Sequence, residues 1–319
     1  MAGNERSDDP RMGTLIKALS TNRSGLPKIS LIGFPYDEGI VRNGGRAGAK
    51  HGPEAVWKFI AKTGAVHNAE LDLDLRKYIE IEDRGFVNEG DPCELEVAHE
   101  KLRRKVYNAL KDETLPIVIG GGNDQSYINF SSFSNYLREK HSKRQMVSVI
   151  NIDAHLDVRP LIDGKAHSGS PFRQLLDSED FCGDFTEFAS QSSQCSKKHS
   201  DYVLDKGGKI FWYNQICNDP VKHFKEILDT HSDRPMFLSF DIDSIRGADA
   251  PGVSCPGSIG LTSDEALKIC RLAGHSKRLK IVDFSETNPI IENYQTPKLV
   301  ANMIYEILIG KAILLSRKK

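Results

Sequence analysis

The chain has 319 residues, of which 39% are hydrophobic and 27% charged, and this composition is typical of a soluble globular protein with one large domain or two small ones. Its formal net charge of -1 argues against a general attraction for nucleic acids or anionic membranes. Six cysteines without a CxxC pair exclude a zinc knuckle and a thioredoxin-type motif, and they indicate a reducing, cytoplasmic compartment.

The N-terminal residues 1–26 are polar, and we predict that they form a loosely attached arm. The opening residues MAGNERSDDP lack the pattern of a signal peptide. No apolar run approaches the length of a membrane-spanning helix, so no membrane partner is expected. Residues 27–319 contain no recognisable linker and are predicted to form a single domain.

Within this domain, a first strand is predicted at KISLIGFP, followed by a long loop rich in glycine and arginine and by a helix that begins near Pro53. Five more strands are predicted at LPIVIGGGN, MVSVINID, KIFWYN, PMFLSFDID and LKIVDFSE. Helices are predicted at ELEVAHEKLRRKVYNALKD, DEALKICRLAGH and PKLVANMIYEILIGKAILL. Segment 176–208 is predicted to be a polar insertion with helical parts. Alternating apolar strands and amphipathic helices predict a three-layer α/β/α fold with a mainly parallel, doubly wound sheet.

Polar side chains follow four of these strands at the point where each apolar run ends. They are Asn123, Asp153, Asp241 and Glu286. In open α/β sheets the carboxyl ends of the strands form the ligand-binding crevice. We therefore expect these four groups to meet at one edge of the sheet.

The stretch NIDAHLDVRP places Asp153, His155 and Asp157 two residues apart, and DID adds Asp241 and Asp243. In an extended chain, residues i and i+2 point the same way, so each motif directs its donors to one place. Four neighbouring carboxylates repel one another and raise their pKa values, a penalty that divalent cations remove. Oxygen-rich ligation without thiolate favours Mn or Mg, and the number of donors suits two ions that share carboxylates and activate a water.

DAHLD and SFDID resemble the two signature motifs of the arginase or ureohydrolase superfamily. The resemblance extends from about residue 28 to the end and implies an arginase-type fold. It implies that Asp153 and Asp241 bridge two Mn²⁺ ions, that Asp157 completes one site, and that His155 and Asp243 complete the other.

The chain departs from the superfamily pattern at Asn123, where a histidine ligand usually follows the glycines. An asparagine oxygen can bind a hard cation, but it is a weaker, neutral donor than imidazole. We therefore include Asn123 among the predicted metal ligands and expect a lower affinity at the first metal position.

VRNGGRAGAKHGPEAV, GGGN and HSGSPFR resemble formimidoylglutamases more than arginases or agmatinases. This resemblance implies Mn-dependent hydrolysis of N-formimino-L-glutamate to L-glutamate and formamide, in histidine degradation, by a homo-oligomer of three or more subunits. It also implies that His167 is a proton shuttle and that Glu286 binds the amidine end of the substrate.

Three arginines are predicted to bind the carboxylates of such a substrate. Arg159 lies two residues beyond Asp157, and its guanidinium can clamp a carboxylate with two hydrogen bonds. Arg42 and Arg46 belong to the glycine-rich loop and are predicted to add positive charge at the mouth of the site. An ion pair between Arg159 and a metal-binding aspartate stays open as an alternative.

Two other functions stay open. The chain could be another ureohydrolase (an arginase, agmatinase or guanidino-acid hydrolase), which a panel of substrates would distinguish. It could also be a non-catalytic binding protein with a weakened metal site, for which Asn123 is the sequence support. A Rossmann-type oxidoreductase is rejected, because the GGG after a strand lacks GxGxxG spacing.

Overall fold

A computed structural model of the protein describes residues 8–18, 25–88, 93–141, 144–230 and 233–317. The strands in these ranges are β1 (Ile16–Ala18), β2 (Lys28–Phe34), β3 (His67–Asn68), β4 (Leu73–Asp74), β5 (Glu80–Phe86), β6 (Leu115–Gly120), β7 (Val147–Ile152), β8 (Gly183–Ser190), β9 (Lys209–Trp212), β10 (Met236–Asp241) and β11 (Leu279–Ser285). Nine of them form one sheet in the order β1-β5-β2-β6-β11-β10-β7-β8-β9, while β3 and β4 form a separate antiparallel pair. All neighbours in the large sheet run parallel.

Helices connect these parallel strands, as crossover connections require. They are α1 (Glu38–Arg42), α2 (Gly52–Ile60), α3 (Leu95–Lys111), α4 (Gln125–His141), α5 (Pro171–Asp177), α6 (Lys197–Asp205), α7 (Tyr213–Ile216), α8 (Pro220–Asp229), α9 (Ser263–His275) and α10 (Gln295–Ser316). Proline in the first turn begins α2, α5 and α8, where its fixed φ suits a helix. A capping box between Thr262 and Glu265 begins α9.

The helices cover both faces of the sheet. On one face, α2, α8, α9 and α10 contribute to a core that includes Phe224 and Ile304. On the other face, α3, α4, α5 and α6 contribute to a second core that includes Phe133 and Phe172. The predicted three-layer α/β/α architecture with a parallel sheet is confirmed.

All six predicted strands are confirmed as β2, β6, β7, β9, β10 and β11. Segment 176–208 contains the expected helical part as α6, but its prediction as an insertion is wrong, because it also contains β8, which lies inside the sheet between β7 and β9. Asp184, Thr186 and Glu187 interrupt its apolar pattern, although Glu187 is fully buried. The loop predicted after β2 contains the short helix α1, and α4 was not predicted because buried serines and asparagines obscure its apolar face.

The described part of the predicted N-terminal arm is packed against the domain. Met12 is fully buried, and β1 pairs with β5 at the edge of the sheet. The expectation of a loose attachment is therefore wrong for residues 11–18. Residues 1–7 and 19–24 of the arm lie outside the described residues, and the domain boundary stays a prediction.

Helix α10 is long and apolar enough to cross a membrane by length and composition, which corrects the expectation that no such run exists. Of its 18-residue apolar window, 72% is buried inside the protein. It packs against α9 and α2. This burial is typical of a core helix, whose apolar surface is covered by protein.

Candidate active site

The four strands whose ends carry the predicted site residues are neighbours, in the order β6-β11-β10-β7. Asn123 follows β6, Glu286 follows β11, Asp241 ends β10 and Asp153 follows β7. All four side chains are buried. Because the strands are parallel, these side chains meet at one edge of the sheet, as the sequence predicted.

Two groups of ligand atoms lie close enough to hold cations. Atoms of Asp153, His155 and Asp243 lie within 4.8 Å of one another, and so do atoms of Asp153, Asp157 and Asp241. Asp153 belongs to both groups. This arrangement suits two cations that share a carboxylate.

Short turns orient the carboxylates of the two motifs. Asp153 Oδ1 accepts the N–H of His155 at 2.7 Å, and Asp241 Oδ1 accepts the N–H of Asp243 at 3.0 Å. His155 Nδ1 lies 3.1 Å from Asp243 Oδ2, so the two motifs meet through this pair. Aspartate side chains commonly hydrogen-bond the backbone two residues on, which here fixes the direction of each carboxylate.

Asn123 faces the same carboxylates. Its Nδ2 donates to Asp157 Oδ2 at 2.8 Å, while its Oδ1 accepts from Ser126 Oγ at 2.7 Å and from Ser285 Oγ at 3.2 Å. Hydroxyl groups both donate and accept, so the amide can turn over, place Oδ1 towards a cation and donate from Nδ2 to the serines. Asn123 therefore fits the predicted role of a neutral ligand.

The four carboxylates outnumber the one imidazole beside them, so their negative charge is compensated only in part. Burial and the charge of Asp153 raise the pKa of Asp157 well above its usual range, and burial and the charge of Asp243 do the same for Asp241. Asp243 Oδ1 is buried without a hydrogen-bond partner among the described residues. Hard divalent cations would satisfy such oxygens and stabilise the charged forms, so this set of donors fits the predicted pair of ions.

Glu286 lies beside this cluster in a left-handed backbone conformation, with φ of 68°. Its N–H donates to Gly121 O at 2.7 Å, and its Oε1 accepts the N–H of Asn123 at 3.0 Å. Burial and the charge of Asp243 raise its pKa well above the usual range. Asp157 also has a positive φ, 43°. Such strain in non-glycine residues is frequent at functional sites, where the surrounding structure maintains it.

His167 is fully buried, and both of its ring nitrogens contact the backbone. Nε2 lies 2.9 Å from Pro160 O, and Nδ1 accepts the N–H of Gly169 at 3.2 Å. These contacts require the neutral ring with its proton on Nε2, and burial lowers the pKa of the ring. His167 therefore closes the loop between β7 and α5, and it can relay a proton only after giving up one of these contacts.

Two of the three predicted substrate arginines are engaged within the protein. Arg42 makes ion pairs with Glu38 at 2.6 Å and with Glu96 at 2.7 Å. Arg46 donates from Nε to Ser254 O at 2.8 Å and from Nη2 to Val253 O at 3.0 Å. Arg42 therefore links α1 to α3, and Arg46 links the glycine-rich loop to the loop that contains Ser254.

Arg159 differs from Arg42, because it is exposed and its guanidinium donates to a neutral side chain. Its Nη1 donates to Asn43 Oδ1 at 3.3 Å. Within the described residues, the ion pair with a metal-binding aspartate that stayed open above is not formed. Arg159 therefore keeps a positive charge at the mouth.

The sequence reasoning missed a pair of buried polar residues behind the cluster. Asn151 Nδ2 donates to Glu187 Oε2 at 2.8 Å and lies 3.3 Å from Asp153 Oδ2. Both residues are fully buried. The signal for Asn151 was present, because it stands two residues before Asp153 on an extended strand and so points the same way. Glu187 could not be found, because its strand was not predicted.

Solved structures of two formimidoylglutamases resemble this fold. Trypanosoma cruzi formiminoglutamase with Mn²⁺ is 42% identical, covers 96% of this chain and 99% of its own, and superposes with a TM-score of 0.85. Formimidoylglutamase from Bacillus subtilis is 22% identical over 98% of this chain and 95% of its own, with a TM-score of 0.86, and supports the fold alone.

Curated relatives extend the comparison. The formimidoylglutamase of Geobacillus kaustophilus is 31% identical over 291 residues, which are 88% of this chain and 83% of the relative. That of Rhodococcus jostii is 30% identical over 284 residues, 87% of this chain and 84% of the relative. A family model described as the arginase family matches residues 27–310. With the cluster of ligands at the ends of the central strands, these matches establish that the chain belongs to the arginase family.

Proposed function

We propose that this protein is a formimidoylglutamase, which hydrolyses N-formimino-L-glutamate to L-glutamate and formamide with two Mn²⁺ ions. The observation that carries the proposal is the combination of two ligand groups sharing Asp153 with an exposed Arg159 that forms no ion pair within the described residues. Formiminoglutamate has an amidine to be hydrolysed and two carboxylates for a guanidinium to bind. The relatives named formimidoylglutamase support the same substrate.

The six metal-binding residues predicted from the sequence would hold the two ions: Asn123, Asp153, His155, Asp157, Asp241 and Asp243. Such ions, when bound, lower the pKa of a water molecule so that it acts as a nucleophile near neutral pH. The T. cruzi relative is described as containing Mn²⁺, and the oxygen-rich set of donors in this chain favours the same metal.

The protein's own residues position the substrate and move its protons. In this proposal Asp157 accepts a hydrogen bond from the attacking water, and Glu286 binds the amidinium beside it. A buried carboxylate keeps the bound amidine protonated, and the protonated form has the more electrophilic carbon. The proton that the water loses passes through Asp157 to the glutamate nitrogen, and cleavage of the C–N bond releases glutamate and formamide. Arg159 binds a carboxylate of the substrate and so fixes the amidine over the cluster.

Other properties belong to the same proposal and await their own tests. We infer a cytoplasmic enzyme of histidine degradation that acts as a homo-oligomer of three or more subunits, without a nucleic-acid or membrane partner. The six free cysteines support a reducing compartment, and the net charge of -1 supports the absence of polyanionic partners.

The test is a panel of substrates given to the metal-stripped protein before and after Mn²⁺ is added. The panel contains formiminoglutamate, arginine, agmatine and a guanidino acid, and the products measured are formamide, glutamate and urea. We expect Mn-dependent release of formamide and glutamate from formiminoglutamate, with little release of urea. Chelation of the metal should reverse the activation.

Each other outcome selects a different function. Release of urea from arginine, agmatine or the guanidino acid would support the catalytic metal cluster but would show that the substrate is a guanidine compound. Mn²⁺ binding without turnover of any substrate would favour a non-catalytic binding protein.

A further inference from the structure

Asn43 follows α1 and forms hydrogen bonds both with the guanidinium of Arg159 and with the loop on which Arg159 lies. Asn43 Oδ1 accepts a hydrogen bond of 3.3 Å from Arg159 Nη1, and Asn43 Nδ2 donates one of 3.2 Å to Ser168 Oγ. A Cβ on Gly169 would lie 2.8 Å from Asn43 Nδ2 and 3.0 Å from Arg159 Cδ. Glycine at this position therefore lets the amide and the stem of the arginine pack closely.

The backbone on both sides of this contact is fixed. Asn43 N–H donates to Gly39 O at 3.2 Å, and Ser168 N–H donates to the same oxygen at 3.0 Å. Arg159 N–H donates to Gly169 O at 2.8 Å. Because α1 and the loop after β7 form one frame, the contact with Asn43 restricts the end of the Arg159 side chain rather than the loop.

Whether Arg159 can bind an anion depends on the charge of the side chain that it contacts, which is Asn43. Arg42 faces two carboxylates, which neutralise its charge. Arg159 faces a neutral amide, which reduces the rotamers of a long side chain but leaves its charge uncompensated. A guanidinium that is already oriented loses less conformational freedom when it binds a ligand, and this raises affinity.

We propose that Asn43 is a positioning residue that sets the preference for carboxylate-bearing amidines, by holding the Arg159 guanidinium at the mouth without neutralising it. This inference rests on the proposed function. It assigns to Asn43 an effect on substrate selection that the chemistry of the metal cluster does not require.

The test compares two amidines, formiminoglutamate and N-propylformamidine, which lacks carboxylates. The selectivity is the kcat/KM value for formiminoglutamate divided by that for N-propylformamidine, both measured on the Mn-loaded protein. A lower fraction of active protein reduces both values equally, so it does not change this ratio.

We expect Asn43→Ala to lower the ratio about three- to tenfold, which is the effect of one lost hydrogen bond. The change should come from a higher KM for formiminoglutamate rather than from kcat. In an Arg159→Ala background, Asn43→Ala should lower it no further. Asn108→Ala, the same change on the exposed face of α3, should leave it unchanged.

The variant Asn43→Asp distinguishes an effect on the charge beside Arg159 from an effect on the structure of the loop. This variant keeps an acceptor for Arg159 but adds a negative charge, so we expect the ratio to fall further than in Asn43→Ala. A smaller fall in Asn43→Asp than in Asn43→Ala would overturn the inference, because it would mean that Asn43 only supports the loop. An unchanged ratio in Asn43→Ala with an active parent protein would overturn it as well. A parent protein inactive on formiminoglutamate would overturn both the inference and the proposed function.

Discussion

Two regions of the site carry opposite charges. We call the predicted metal ligands the floor of the site and the three predicted substrate arginines its mouth. The floor gathers four carboxylates and one imidazole at the ends of the central strands, from Asp153, His155, Asp157, Asp241 and Asp243. The mouth contains three arginines: Arg42, at the end of α1, is paired with two carboxylates, and Arg46, on a loop, donates to backbone carbonyls. Arg159, on the loop after β7, donates to the neutral side chain of Asn43.

This difference shows which charges are available for function. The floor has an excess of carboxylates, so its charge is met by protons or by cations from solvent. At the mouth, the charge of Arg42 is compensated by two carboxylates, whereas Arg46 and Arg159 form no ion pair within the described residues. The proposed reaction uses the excess carboxylates of the floor and the guanidinium of Arg159, which lies two residues beyond Asp157.

The substitution Asp241→Asn replaces one predicted metal ligand of the floor. We expect kcat/KM to fall at least about a thousandfold, because loss of a ligand removes several kcal/mol of charge stabilisation in the transition state. The bound Mn²⁺ per chain, measured on the same samples by metal analysis, should fall too. Asp249→Asn makes the same chemical change in an aspartate that pairs with Arg246, and it should keep both quantities. Full Mn²⁺ content with full activity in Asp241→Asn would show that the floor does not hold the ions.

The charge of the floor also predicts how stability depends on pH. The raised pKa values of Asp157, Asp241 and Asp243 mean that the folded, metal-free chain binds more protons than the unfolded chain above a pH of about 4. The free energy of unfolding of the metal-free protein should therefore fall as the pH rises from that value through the raised pKa values.

Mn²⁺ should reverse this loss, since it binds deprotonated ligands. At a free concentration of about a hundred times Kd near pH 8, the gain is about 2.7 kcal/mol, and it should shrink near pH 5. Denaturant unfolding with and without Mn²⁺ at the two pH values measures both effects. An equal gain from Mn²⁺ at both values would contradict this account of the floor.

The mouth is tested by removing its arginines one at a time. Arg159→Ala should raise KM for formiminoglutamate about ten- to a hundredfold, because hydrogen bonds between charged groups contribute about 1.5–3 kcal/mol, while kcat changes little. Arg42→Ala should change KM by less than about threefold and lower the free energy of unfolding by less than about 1 kcal/mol, since its partners are partly exposed. Steady-state kinetics and denaturant unfolding measure the two effects. A larger KM effect in Arg42→Ala than in Arg159→Ala would reverse the assignment.

The same contrast explains what could be predicted from the sequence. Asp153, His155 and Asp157 were identified because strand periodicity alone fixes their common direction. The pairing of Arg42 with Glu96 could not be predicted, because these residues lie on different elements, 54 positions apart. Strand β8 was missed for a related reason: the burial of Glu187 depends on Asn151 of a neighbouring strand, which propensity does not reveal.

His167 lies in the loop between β7 and α5, and its two contacts with the backbone can be separated experimentally from the shuttle role that the family resemblance implies. Loss of the ring in His167→Ala leaves Pro160 O and Gly169 N without these partners, so we expect the free energy of unfolding to fall by about 1–3 kcal/mol. Because the expected loss of kcat comes from a loosened loop, added imidazole should not restore it. His223→Ala, on the surface of α8, is the matched control and should change neither quantity. Recovery of most of the lost kcat by imidazole, with stability unchanged, would instead assign His167 to proton transfer and would mean that its backbone contacts open during each turnover.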